Sequence, residues 1–270
     1  MELQGRLAEI RKAGWGLAAI SYDPPSVLAD FSSRRGITFP LLSDAGSATI
    51  KRYGILNTTV DPKDQRFGYP FPGTFIVDRN AAVTSRVFES LYQERHTMSS
   101  ILVRLGRRVD APATKIAGAH VTVTSYATDQ TAAPGTHLSL VLDIVPASRV
   151  HVYAPNRSGY VPVALTLEPL PGIVVRGTQL PKPEDYFFKP LNEHVPVYQR
   201  SFRIVQDVMV DPSPTASAAL KDVTALTMKG SFEYQACDDR VCFPPQSIPL
   251  SWRHPSQVTR SASAISLARR

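Results

Sequence analysis

The 270-residue sequence predicts two domains, an α/β layered unit followed by an all-β sandwich. Three observations carry this. Helix-like and strand-like segments alternate through about residue 108. Beyond about residue 118 the apolar residues recur with period two, punctuated by prolines and glycines. The length, at ~100–200 residues per domain, suits two cores rather than one.

Taken in order, Leu3, Leu7 and Ile10 recur at helical spacing and Gly14 is a natural stop. Gly16–Tyr22 is a short apolar run of the kind a doubly covered parallel strand shows. Asp23-Pro24-Pro25-Ser26 opens a second helix that reaches about Arg35. Phe39–Asp44 reads as a strand ending in a helix cap, with a helix over Ala45–Tyr53. Thr74–Asp78 and Ala82–Phe88 form a hairpin around Arg79-Asn80, and the amphipathic stretch Thr97–Leu105 closes the unit. Residues 109–118 read as a linker. Residues 119–254 then carry the alternations Val121/Val123, Leu138/Leu140/Leu142/Ile144, Val161/Val163/Leu165/Leu167 and Phe202/Ile204. With breaks at Pro134-Gly135, Pro146, Pro169, Pro171-Gly172 and Pro181, they predict a sandwich of the immunoglobulin type. Residues 255–270, rich in Ser, Ala and Arg without apolar periodicity, read as a disordered tail.

The net charge of +7 is spread along the chain: residues 1–112 carry 15 Lys+Arg against 11 Asp+Glu and residues 113–270 carry 15 against 12. Without a concentrated basic patch, neither nucleic acid nor an anionic membrane is an expected partner. No apolar run approaches the ~20 residues of a membrane span, and the N-terminal stretch lacks the apolar core of a secretory signal. The six histidines are scattered and form no ligand pattern, so no metal or cofactor is expected.

The two cysteines, Cys237 and Cys242, are the informative residues. On a turn they can reach the ~5.5–6 Å Cα separation of a disulfide. So short a loop stabilises a fold little, because loop-closure entropy grows with loop length. Asp238 and Asp239 disfavour a thiolate and Arg240 favours one. A redox-active bridge, a structural hairpin disulfide and two buried thiols all remain open on spacing alone. Zinc is disfavoured, since the pair supplies only two ligands and only His254 lies near in sequence.

Tyr234-Gln235-Ala236-Cys237 followed by Cys242-Phe243-Pro244-Pro245 resembles the signature of the N-terminal domain of the thiol:disulfide interchange protein DsbD. Val150-His151-Val152-Tyr153 and Val197-Tyr198 are similar to strands of that family. The resemblance implies an immunoglobulin-like fold and a Cys237–Cys242 pair that cycles between dithiol and disulfide. It implies a thioredoxin-like redox protein or a membrane thiol reductant as partner, and a periplasmic setting. It also implies an aromatic cap over the pair. Asp185-Tyr186-Phe187-Phe188 falls in that region without fixing which aromatic is the cap, and Phe187 joins Tyr234, Asp238, Arg240 and Phe243 as a supporting residue.

Residues 1–108 resemble the thioredoxin-like redoxins of the AhpC/TSA and TlpA types, through Ala19–Asp23, Ile37–Asp44, Tyr53-Gly54-Ile55 and Pro72–Asp78. Pro72 aligns with the cis-proline that faces the active-site thiols in such folds. Yet no cysteine precedes Cys237. This half therefore carries neither a Cys-x-x-Cys pair nor a peroxidatic thiolate. The strand that precedes the motif is expected to be missing too, so the domain reads as truncated at its N-terminus, with an incomplete start favoured over a degenerate binding module. The expected function is a thiol–disulfide relay at Cys237 and Cys242. The alternatives are a docking module with a structural disulfide, or a thiol peroxidase if upstream sequence supplied its cysteine.

Overall fold

The computed structural model describes residues 2–61, 63–64, 67–88, 95–155, 159–189, 192–221 and 223–255. The tail expected to be disordered lies, from 256 on, outside the described residues. The chain divides into two compact units, Met1–Met98 and Ser99–Arg270.

The first unit opens with two short helices, α1 (Glu2–Gly5) and α2 (Leu7–Lys12), followed by β1 (Ala19–Ser21), α3 (Pro25–Arg35), β2 (Leu41–Ser43) and α4 (Ala48–Arg52). β3 (Gly73–Val77), β4 (Val83–Phe88) and β5 (Arg95–His96) complete it. Pro25 suits the first position of α3, where no backbone N–H is needed, and Gly36 ends that helix at φ 60°. Asp44 starts α4 by accepting from the backbone N–H of Thr49 (2.9 Å) and Ile50 (2.8 Å), which holds its carboxyl below the ordinary value. β1 and β2 pair in parallel and β3 and β4 antiparallel. Among the described residues these remain two separate two-stranded sheets, with Ile20, Leu42, Val77 and Val83 exposed on them. The hairpin turn expected at Arg79-Asn80 is organised by Asp78, whose carboxylate accepts from the N–H of Asn80 and Ala82.

Pro72 departs from expectation: no peptide bond among the described residues is cis. Phe71 donates its N–H to Ile55 and Leu56 bridges Pro70, so the chain already runs extended into β3 and a trans bond continues that path.

The second unit begins within α5 (Met98–Arg104). The division therefore falls before the expected boundary at 108, because Val103 is buried with Tyr126, Val141 and Val205, and the Ser100 hydroxyl lies 2.7 Å from that of Ser139. The expected linker 109–118 likewise contains a strand, β6 (Ala113–Ala117). It pairs with β7 (Val121–Ala127), and Ile116 packs onto the core.

The remaining strands are β8 (Thr136–Pro146), β9 (His151–Tyr153), β10 (Ala164–Leu167), β11 (Ile173–Gln179), β12 (Glu184–Phe188), β13 (Glu193–Tyr198) and β14 (Phe202–Val210). Helix α6 (Pro214–Ala219) precedes β15 (Ala225–Tyr234), β16 (Ala236–Cys237) and β17 (Gln246–Pro255). One sheet has the order β11-β14-β8-β7-β6, and a second the order β10-β15-β17. Their inner faces meet in one core: Leu138, Leu140, Leu142 and Ile144 from β8 lie against Leu226, Met228 and Phe232 from β15 and Leu250 and Trp252 from β17. This is the expected antiparallel sandwich, built by period-two alternation. A third sheet, β12-β13-β9-β16, carries Cys237, and Cys242 meets it across an isolated bridge.

Candidate functional site

The site is set by strand register. In β9 the side chains of His151 and Tyr153 share one face, and Val152 points the other way into the sandwich core. Cys237 pairs opposite His151, Val197 opposite Tyr153, and Tyr186 opposite Val195. Directly opposed residues share a face. The result is a cluster of Tyr153, Val195, Val197 and Cys237, with Tyr160, Tyr186 and Cys242 packed against it.

Cys237 and Cys242 form a disulfide with an S–S distance of 2.12 Å and a Cα separation of 4.1 Å, across an isolated antiparallel bridge. Asp238 builds the turn between them. Its Oδ1 accepts from the N–H of Arg240 and Val241, each at 2.7 Å, while its own N–H donates to the Val241 carbonyl. These donors hold its carboxyl below the ordinary aspartate range. Phe243 closes the loop by donating its N–H to Ala236 at 2.8 Å. Gln235 clips the loop in place: its Oε1 accepts from Val161 and its Nε2 donates to the Phe243 carbonyl.

The two sulfurs are unequal. Cys237 is 0% exposed, whereas Cys242 is only half-buried. The Tyr153 hydroxyl donates to Cys237 Sγ at 3.0 Å and lies 3.5 Å from Cys242 Sγ. Burial, and after it Tyr160, push the Tyr153 phenol far above its ordinary pKa, so it keeps its proton. Tyr160 stacks on Tyr153 with centroids 4.1 Å apart and hydrogen-bonds Glu193. Above the pair, Tyr186 lies 4.4 Å from the His151 ring and donates to Asp239 Oδ1 at 3.0 Å.

The residues expected to support the site separate into groups. Asp238 is at the turn with the cysteines, and Arg240 is exposed on it. Phe243 flanks the loop, stacked on His120 at 3.8 Å and packed against the sandwich core. Tyr234 is fully buried in that core beside Phe232, with its hydroxyl over Gly118, where an added Cβ would meet it at 2.8 Å. Phe187 is not over the sulfurs. It is 42% exposed and faces His194 on the outer side of the hairpin, and alternation puts its neighbour Tyr186 inward instead. Pro72 lies in the other unit. The sequence names Gln235 within the signature and His151 and Tyr153 within a family-like strand but gives them no role in the site, and it does not name Tyr160. The i, i+2 placement of His151 and Tyr153 on one strand was the available signal.

Residues 1–86 match the family model of the AhpC/TSA family, and residues 121–249 match that of the thiol:disulfide interchange protein DsbD, N-terminal. Putative peroxiredoxins from two Mycobacterium tuberculosis strains are 30% identical over 86 residues, covering 30% of this chain and 52% of each relative. The chain thus spans about half the length of the curated relatives it matches. Among solved structures, the reduced DsbD N-terminal domain of Neisseria meningitidis is similar at 13% identity and TM-score 0.31, covering 43% of this chain and 78% of that one. The N-terminal periplasmic domain of ScsB from Proteus mirabilis is similar at 12% identity and TM-score 0.39, covering 59% of this chain and 60% of that one. A segment that matches the AhpC/TSA family model is thus followed by one that matches the DsbD N-terminal model, and the second holds the Cys237–Cys242 disulfide. Among the described residues no helix is long and apolar enough to cross a membrane.

Proposed function

We propose that the second domain, residues 119–254, is a thiol–disulfide relay that exchanges the Cys237–Cys242 bridge with a thioredoxin-like protein or a membrane thiol reductant in the bacterial periplasm. The observation that carries this is the asymmetry of the bridge, a half-buried Cys242 joined to a buried Cys237 that receives a tyrosine hydrogen bond. In reduction, a partner thiolate attacks Cys242 Sγ, the S–S bond breaks, and its electron pair passes to Cys237 Sγ. The Tyr153 O–H, already aimed at that sulfur, stabilises the new thiolate. The partner's second thiol then resolves the mixed disulfide, leaving the partner oxidised and this chain as the dithiol. In the reverse direction Cys242 attacks a partner disulfide and Cys237 resolves it.

Equilibrating the chain in defined glutathione and dithiothreitol buffers and trapping free thiols tests the reading. A potential near or above ~−230 mV fits exchange, whereas one below ~−300 mV makes the bridge structural and the domain a docking module.

A further inference from the structure

We propose that the imidazole of His151 holds the proton that balances the charge of Cys237 when the disulfide opens. This rests on the relay reading above and concerns the group within the site that manages charge. His151 is 2% exposed and sits directly opposite Cys237 in the β9–β16 pair, so their Cβ atoms share a face at about 4.5–5.5 Å. Its Nε2 is buried with no hydrogen-bond partner, which is costly for a polar atom unless it has a use in another state of the protein.

The groups facing it leave it as the one able to change its proton. On its own strand, Tyr153 holds its proton tightly and only donates a hydrogen bond. From β12, Tyr186 is likewise raised by burial and by its bond to Asp239. From the cysteine turn, Asp238 is held ionised by the amides of Val241 and Arg240 and has no proton to supply. The Asp239 carboxylate bonds Tyr186. From β16, the only titrating atom is the Cys237 sulfur itself.

In the disulfide state burial lowers the pKa of His151, against the opposing pull of Asp239 and Asp238, so the ring is neutral near pH ~7. When the S–S electron pair moves to Cys237, a negative charge arises beside that ring in a desolvated pocket. The imidazole then binds a proton from solvent, equivalent to the one the attacking partner thiol released. The balance is partner dithiol plus disulfide plus neutral His151, giving partner disulfide, Cys237 thiolate, Cys242 thiol and His151 imidazolium. A neighbouring imidazolium keeps the buried sulfur ionised, and so ready to resolve a mixed disulfide.

The test is an NMR pH titration of the histidine ring signals in the full chain, once oxidised and once reduced with excess phosphine, with His151 assigned from the signal absent in His151→Gln. Opposite charges this close shift titrations by about one to three pH units, so His151 is expected to titrate that much higher in the reduced chain. The same midpoint in both states overturns the proposal. In parallel, the ultraviolet thiolate absorbance of the reduced chain should emerge at higher pH in His151→Gln than in the parent, and coincident curves count against the proposal. If His151→Gln fails to fold, His151→Asn serves both purposes. Because a small phosphine does the reducing, the titration is independent of any partner. A potential below ~−300 mV would sink the relay reading, while an unmoved histidine would sink this one alone.

Discussion

At Tyr153 a single hydroxyl serves both sulfurs, donating to Cys237 at 3.0 Å and lying 3.5 Å from Cys242. Tyr153→Phe keeps the ring that stacks on Tyr160 and removes only the donor. A hydrogen bond to a charged group is worth about 1.5–3 kcal/mol, and 30 mV corresponds to about 1.4 kcal/mol for a two-electron couple. The variant should therefore have a reduction potential about 30–60 mV more negative, read in the same redox buffers; an unchanged potential would remove the hydroxyl from the mechanism. Asp238 acts on the turn rather than the sulfurs. Its folded-state pKa is lowered, so its contribution to stability is present above the unfolded value of about 3.9 and is lost as pH falls through the folded one. Asp238→Asn should accordingly flatten the acid limb of the unfolding midpoint plotted against pH, and a limb as steep as the parent's would contradict the assignment.

The β12–β13 hairpin depends on parity. A slip of one residue would turn Phe187 inward and Tyr186 out. Tyr186→Ala should speed reduction of the disulfide by dithiothreitol several-fold, because it uncovers the pair and frees Asp239; Phe187→Ala should leave that rate alone. Equal rates for the two variants would refute the assignment of Tyr186 as cover. At Arg203 the guanidinium grips both carboxylate oxygens of Asp143, at 2.7 and 2.9 Å, and donates to the Arg107 carbonyl at 2.7 Å. Arg203→Met leaves Asp143 without its ion-pair partner and should cost about 1–3 kcal/mol in denaturant unfolding. Alternation made β7, β8 and β14 legible in the sequence, since each shows one face to the sandwich core. The helix at α5 was legible as well, but not the unit it joins: Val103 advertises an apolar face, and only the three-dimensional partners Tyr126, Val141 and Val205 say what covers it.

Across the whole molecule, thiol chemistry is confined to one place, since cysteine occurs only at positions 237 and 242. This 270-residue chain should show no peroxide consumption above a thiol-free control in a coupled assay, and turnover there would contradict a relay confined to the sandwich. The cysteine loop could be read from sequence because its parts are contiguous, from Gln235 to Phe243. Its walls could not: His151, Tyr153 and Tyr186 reach it from distant strands, and period-two patterning does not say which strand pairs with which. Tyr186, which packs against the cysteine cluster, and Phe187, which does not, differ by a single position, the smallest step that reverses a face.

The loop that carries the disulfide is tied at every other point by hydrogen bonds that do not involve sulfur: Asp238 across the turn, Phe243 to Ala236, and Gln235 to Val161 and Phe243. Breaking the S–S bond leaves all of them in place. Under the proposed relay, the reduced form is therefore expected to keep this loop, with the change confined to the two cysteine side chains and a proton. A carrier of that kind would need no refolding step between one handover and the next.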